Sequence, residues 1–178
     1  AVRRDTGTPC VAAHSMTRAL YAGYGGPLYQ VARRSDGEVR DIGVLTANSY
    51  ADASAQDAFC LNTACTITRI YDQSPFHNDL YIEGRGSNGA PDIGAPANAL
   101  PVTAGGHKVY GLEISAGMGY RNDATFGIAK NGDPESMYMV TSATHANNRC
   151  CFDYGNVEVN NTDTGAADNS HMDAINFS

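Results

Sequence analysis

The adjacent pair Cys150-Cys151 is the feature of this sequence with the most unusual chemistry. Neighbouring Cα atoms sit about 3.8 Å apart across a trans peptide, short of the roughly 4.4–6.8 Å that a disulfide usually spans. A bond between them would freeze a tight, strained turn and present a rigid apolar sulfur surface to a ligand, the kind of strain kept at functional sites. The competing reading is two buried thiols, or bridges to other cysteines. A second polar cluster is Tyr71-Asp72-Gln73-Ser74-Pro75-Phe76-His77-Asn78-Asp79-Leu80. Asp72, Asn78 and Asp79 offer oxygens to calcium. Their spacing is not that of an EF-hand loop, so a turn in which Asp, Ser and Asn satisfy backbone donors is favoured. His14-Ser15 precedes Arg18, but no Gly-x-Ser-x-Gly elbow accompanies it, and His14 reads as a packed or capping histidine. The Gly-rich run Gly23-Tyr24-Gly25-Gly26 matches no phosphate-binding pattern. Paired carboxylates would suit glycoside hydrolysis. Asp153, Glu158 and Asp173 lie near the cysteine pair or on the last strand, yet among 19 acidic residues nearness in sequence singles out none.

These groups need a frame. Residues 11–21 space Val11, Met16, Ala19 and Leu20 near a helical period, and the glycines that follow would stop a helix there. After it the chain reads as short strands and turns. Residues 28–33 and 39–42 flank Ser35-Asp36-Gly37-Glu38, a hairpin with Asp-Gly at its tip. Residues 66–71 alternate with β-branched side chains and break at Asp72 to Pro75. Residues 83–106 are rich in Gly, Pro, Asn and Ala and read as a surface loop. Further strands are expected over 109–114, 136–141, 152–159 and 172–177. Many short strands and one early helix predict an all-β fold, a β-sandwich or jelly roll. The final alternating strand runs to the end of the sequence, which suggests the front part of a longer domain.

Composition narrows the function. The 178 residues carry 12 Lys and Arg against 19 Asp and Glu, a formal net charge of −7, with lysine only at Lys108 and Lys130. Nucleic-acid binding needs clustered cations and is disfavoured. No apolar run approaches the roughly 18 residues of a membrane span. Besides the adjacent pair, cysteines stand at Cys10, Cys60 and Cys65. Cys60 and Cys65 enclose a four-residue polar loop that a local disulfide could close. No C-x-x-C or spaced His pair points to zinc. The triplets Asn160-Asn161-Thr162 and Asn176-Phe177-Ser178 are N-glycosylation acceptors. Together with sparse lysine they favour an oxidising, extracellular setting.

Several blocks then resemble one family. Gly7-Thr8-Pro9-Cys10-Val11-Ala12-Ala13-His14-Ser15, Gly26-Pro27-Leu28-Tyr29-Gln30-Val31, Ala55-Gln56-Asp57-Ala58-Phe59-Cys60, Ile70-Tyr71-Asp72-Gln73-Ser74, Gly119-Tyr120-Arg121-Asn122 and Cys150-Cys151-Phe152-Asp153-Tyr154-Gly155-Asn156 run in its order. They resemble the catalytic domain of the fungal α-L-arabinofuranosidases of glycoside hydrolase family 54. The resemblance implies a concanavalin-like β-sandwich, with residues 1–178 as the N-terminal part of the catalytic domain. It implies release of terminal non-reducing α-L-arabinofuranosyl residues from arabinan or arabinoxylan with retention of configuration. No cofactor or metal is implied. The partners implied are arabinose-containing plant polysaccharides, with no nucleic acid, no membrane and a monomeric, secreted protein. It further implies a Cys150–Cys151 disulfide that packs against the sugar, a Cys60–Cys65 disulfide, and a partner for Cys10 upstream of Ala1. The family's nucleophile and acid/base segments match nothing before Ser178, so no catalytic residue is assigned here, and the 178 residues alone are expected to be inactive. A second reading is a non-catalytic, lectin-like sugar-binding β-sandwich.

Overall fold

The computed structural model describes residues 10–85, 90–129, 133–142, 152–156 and 173–177. Nine strands and one helix lie among them. The Asp36-Gly37 turn closes a hairpin between β1 (Pro27–Arg33) and β2 (Val39–Gly43). Gly37 sits at φ +76°, a left-handed conformation that a Cβ would disfavour. The Asp36 carboxylate accepts from the Arg33 side chain at 3.0 Å and from the Glu38 amide at 3.1 Å, which fixes the tip.

β3 (Cys65–Ile70) lies antiparallel to the other edge of β1, and β4 (Leu80–Ile82) follows on its far side. The register of β3 slips where Gln30 faces Arg69 but Val31 faces Ile67, so Thr68 is one residue too many. That bulge explains why Ile67 and Ile70, three positions apart, both point into the core (0% and 4% exposed). On the opposite face Arg69 lies between the rings of Tyr71 and Tyr81, 4.4 and 4.9 Å from their centroids. With β7 (Tyr120–Arg121) the sheet reads β2-β1-β3-β4-β7.

Two hairpins complete the described structure: β5 (Leu100–Ala104) with β6 (His107–Gly111), and β8 (Phe152–Asn156) with β9 (Asp173–Phe177). Gly105 and Gly106, both at positive φ, form the two-residue turn of the first. Its Val109 joins Leu28, Tyr29, Val31, Ile42 and Ile67 in the core beneath the main sheet. The expected all-β fold of antiparallel sheets with one short helix therefore holds.

Three expectations need correction. Residues 11–21 form no helix; they run as an extended strap with bridges at His14–Asp72 and Arg18–Tyr50. Their backbone groups are taken by distant partners instead. The Ala13 amide donates to Asp72 at 2.7 Å, the Leu20 amide to Gln73 at 2.7 Å, and the Ala51 amide to the Thr17 carbonyl at 3.0 Å. The helix among the described residues is α1 (Ala53–Phe59), capped by the Asp52 carboxylate, which accepts from the Ala55 amide at 3.0 Å. Residues 83–106 are not merely a surface loop. They contain β5, and Ala95 and Ala97 are buried (0% and 1%) because the Ile67 amide bonds the Ala95 carbonyl at 2.9 Å. Gly94 makes this approach possible, since a Cβ there would strike the Ile67 carbonyl. Finally, residues 136–141 form no strand, and Val140 is 92% exposed.

Candidate functional site

A buried polar knot lies where the 72–79 turn meets the strap. Asp72, 2% exposed, spends both carboxylate oxygens on local donors. One accepts from the amides of Ala13 (2.7 Å) and Ser74 (2.8 Å), the other from the Ser74 hydroxyl (2.5 Å) and the Asn78 amide (2.8 Å). Asp79 accepts from the Asp72 amide at 2.7 Å and pairs with Arg69. Gln73 donates its amide to the Ala13 carbonyl at 2.9 Å and its side-chain NH2 to the Arg18 carbonyl at 3.1 Å. The turn is therefore a clamp on the strap, in agreement with the structural reading of Asp72, Asn78 and Asp79. Among the described residues no three His, Cys, Asp or Glu side chains converge as a metal site would require.

Asn78 is the centre of this knot and uses every polar group it has. Its side-chain NH2 donates to the carbonyls of Val11 (2.7 Å) and Phe126 (2.8 Å), and its side-chain oxygen accepts from the Phe126 amide (2.8 Å). Its backbone carbonyl, 2.8 Å from His14 Nε2, can only accept, so Nε2 carries the proton. His14 Nδ1 is then the acceptor for the Tyr154 hydroxyl at 3.0 Å. Tyr154 stands edge-on to the imidazole, with ring centroids 6.0 Å apart. Burial lowers the pKa of His14, and the Asn78 carbonyl, Asp72 and Asp79 only partly oppose that shift. Burial also raises the Tyr154 pKa, so both groups stay neutral near pH 7. The arrangement is a directed chain, Tyr154 O–H to imidazole to Asn78 carbonyl, and it joins β8 to the body of the fold. Asn156 adds a second bond at the end of β8, from its side-chain NH2 to the Ala129 carbonyl at 2.7 Å.

The residues singled out in the sequence fall around this knot unevenly. Cys60 and Cys65 form a disulfide that ties the end of α1 to the start of β3. Cys10 forms no disulfide among the described residues; its thiol lies 3.0 Å from the Ala12 carbonyl. Cys150, Cys151, Glu158 and Asn160 lie outside the described residues. Asn176 is exposed on β9, opposite Asp153 in the β8–β9 register, and donates its side-chain NH2 to that carboxylate at 2.7 Å. Asp173 is exposed at the start of β9. His14 is packed, as expected, and bonds to Asn78 and Tyr154 rather than to Ser15. Tyr154 was not singled out by its type, although the Phe-Asp-Tyr-Gly-Asn block carried it. The buried carboxylates Asp72 and Asp79 are saturated by backbone and arginine donors, so neither is poised to attack a substrate. What the described site does chemically is hold a hairpin by neutral hydrogen bonds.

A layered antiparallel β-protein with one short helix, clamped by a buried turn, is the class these observations define. The family model for the catalytic region of α-L-arabinofuranosidase B matches residues 2–178, and the chain belongs to that family. It is 54% identical over 176 residues to α-L-arabinofuranosidase B of Emericella nidulans, covering 96% of this chain and 34% of that protein. It is 52% identical over 177 residues to an arabinofuranosidase/β-xylosidase of Trichoderma koningii, with the same coverage of both. A crystal structure of an arabinofuranosidase complexed with arabinofuranosyl-α-1,2-xylobiose superposes with a TM-score of 0.89 at 50% identity, over 96% of this chain and 36% of that one. A family-54 α-L-arabinofuranosidase soaked with a cyclic sulfate inhibitor matches equally well. The chain spans about a third of the length of the curated relatives it matches.

Proposed function

We propose that this chain is part of a secreted glycoside hydrolase that removes terminal non-reducing α-L-arabinofuranosyl groups from arabinan or arabinoxylan with retention of configuration. The observation that carries this reading is 54% identity to an α-L-arabinofuranosidase B across 96% of the chain. The 0.89 TM-score to an arabinofuranosidase holding a branched arabinoxylo-oligosaccharide supports it further. Residues 1–178 form the N-terminal part of the catalytic sandwich. Cys150 and Cys151 join in a disulfide whose sulfurs pack against the sugar, and Asn160 and Asn176 are glycan acceptors. A retaining enzyme of this type uses two carboxylates about 5–5.5 Å apart and a covalent glycosyl intermediate. No carboxylate within residues 1–178 is assigned to either role. The substrate is a polysaccharide rich in arabinose, and the enzyme works as a monomer without nucleic acid, membrane or cofactor.

The test compares the product of the complete reading frame with the 178-residue chain on 4-nitrophenyl α-L-arabinofuranoside, with calorimetry on arabino-oligosaccharides alongside. Turnover by the complete product and none by the 178 residues is the expected pair of results. Turnover by the 178 residues would overturn the placement of the carboxylates. Sugar binding without turnover by the complete product would favour the lectin-like module instead.

A further inference from the structure

We propose that His14 is a positioning residue for sugar binding. Its neutral imidazole, bridging the Asn78 carbonyl and the Tyr154 hydroxyl, fixes the β8 strand that begins directly after Cys150-Cys151. This inference rests on the reading of that cysteine pair as the sugar contact. Its own ground is the geometry of the knot. Asn78 is 2% exposed and held by four other hydrogen bonds, so the carbonyl that receives His14 cannot shift without breaking bonds to Asp72, Val11 and Phe126. Each hydrogen bond in such a chain polarises the next, which stiffens the bridge as a unit.

Only one protonation pattern satisfies all three groups. A carbonyl demands the proton on Nε2, which leaves Nδ1 as the acceptor for Tyr154. An imidazolium would carry a second N–H and force the phenol to turn round. The charged groups facing His14 are Asp72 and Asp79 from the turn; from β8 it faces Tyr154, and Asp72, Cys10 and Tyr138 act electrostatically on that phenol. The two carboxylates favour the cation, and burial outweighs them. His14 is thus tied on one side to a fixed carbonyl and on the other to a hairpin, and it acts on substrate through β8.

The experiment uses the product of the complete reading frame and three variants: Tyr154→Phe, His14→Leu and His14→Gln. Phenylalanine keeps the ring and deletes one donor. Glutamine supplies an amide N–H and a carbonyl oxygen at nearly the spacing of the two ring nitrogens, and it does not titrate. Tyr154→Phe should raise KM about three- to tenfold, the effect of one lost hydrogen bond, and His14→Leu, which loses two, at least as much, with a smaller change in kcat. The double variant should be no worse than the poorer single. His14→Gln should restore KM and flatten its rise at acid pH. Hydrogen exchange at the amides of residues 152–156 should quicken in Tyr154→Phe and not in His14→Gln. A fall in melting temperature with KM and exchange unchanged would reduce His14 to a packing residue and overturn the inference. If the wild-type product cleaves no arabinofuranoside, the functional reading fails. Exchange then still decides whether His14 holds β8, because unchanged protection in Tyr154→Phe overturns that step by itself.

Discussion

At the scale of single residues, the polar groups that look most reactive in the sequence are the ones the fold has satisfied most completely. Asp72, Asn78 and Asp79 spend their oxygens and nitrogens mostly on backbone partners, with the Ser74 hydroxyl and Arg69 completing the carboxylates, and turn chemistry anticipates this because Asp and Asn are the residues that cap local donors. The pairing of His14 with Tyr154 bridges 140 positions, and no local pattern encodes a contact of that length. Gln56 shows the same principle in the apolar core. It is 1% exposed on α1, where its side-chain oxygen accepts from the Tyr29 hydroxyl at 2.7 Å and its NH2 donates to the Ala97 carbonyl at 2.8 Å. Replacing it by alanine would leave both partners buried and unpaired beside a new void. Each orphaned group costs about 1–3 kcal/mol. Gln56→Ala should therefore destabilise the protein by about 2–5 kcal/mol in a urea titration, and a loss below about 1 kcal/mol would mean that water reaches the two partners.

At the scale of elements, strands were legible wherever alternation coincided with a turn signal, as around Asp36-Gly37. They were misplaced wherever long-range bonding overrode the local pattern. The 11–21 strap has helical spacing, yet its amides and carbonyls are claimed by residues 49–51 and 72–78, and a tertiary contact outweighs a weak propensity. The helix among the described residues is seven residues long, too short for periodicity to reveal it, and its Asp52 cap is the available signal. β5 was hidden because Gly and Pro around it resemble loop composition, although the Gly105-Gly106 pair that closes its hairpin is a turn signature. Residues 136–141 fail in the opposite sense: they alternate without a ladder partner among the described residues. α1 ends at a covalent joint, the Cys60–Cys65 bridge across a sequence separation of 5. Closing so short a loop restricts the unfolded chain by about 2 kcal/mol in the chain-entropy model. The double variant Cys60→Ser/Cys65→Ser should lose about that much stability and keep its circular dichroism spectrum. Loss of the spectrum instead would mean that the bridge is needed to set the α1–β3 connection at all.

At the scale of the whole molecule, stability should respond to acid through two sets of groups whose losses begin at different pH values, because the perturbed groups shift in one direction from very different starting values. His14 has its pKa lowered from 6.5 by burial, so the unfolded chain binds a proton that the folded chain resists. Stability is then complete above about pH 6.5 and falls as pH drops from there towards the lower folded value, below which this loss stops. Asp36 and Asp52 also have lowered values, Asp36 first through its bond to Arg33 and Asp52 first through its bond to Ser54. Their contribution is present above their ordinary value of 3.8 and disappears only as pH falls from 3.8 to the folded values. The His14 loss begins at the higher pH and the carboxylate loss at the lower. The first loss belongs to the knot that ties β8 to the strap, the second to the turn tip and the helix cap on the main sheet. Melting temperature measured from pH 8 to pH 3 should begin to fall below about 6.5 and gain a second source of loss below about 4. His14→Gln should remove the first fall and leave the second, since an amide holds the same two bonds without accepting a proton. A first fall that survives in His14→Gln would assign it to another histidine and leave the His14 bridge indifferent to acid.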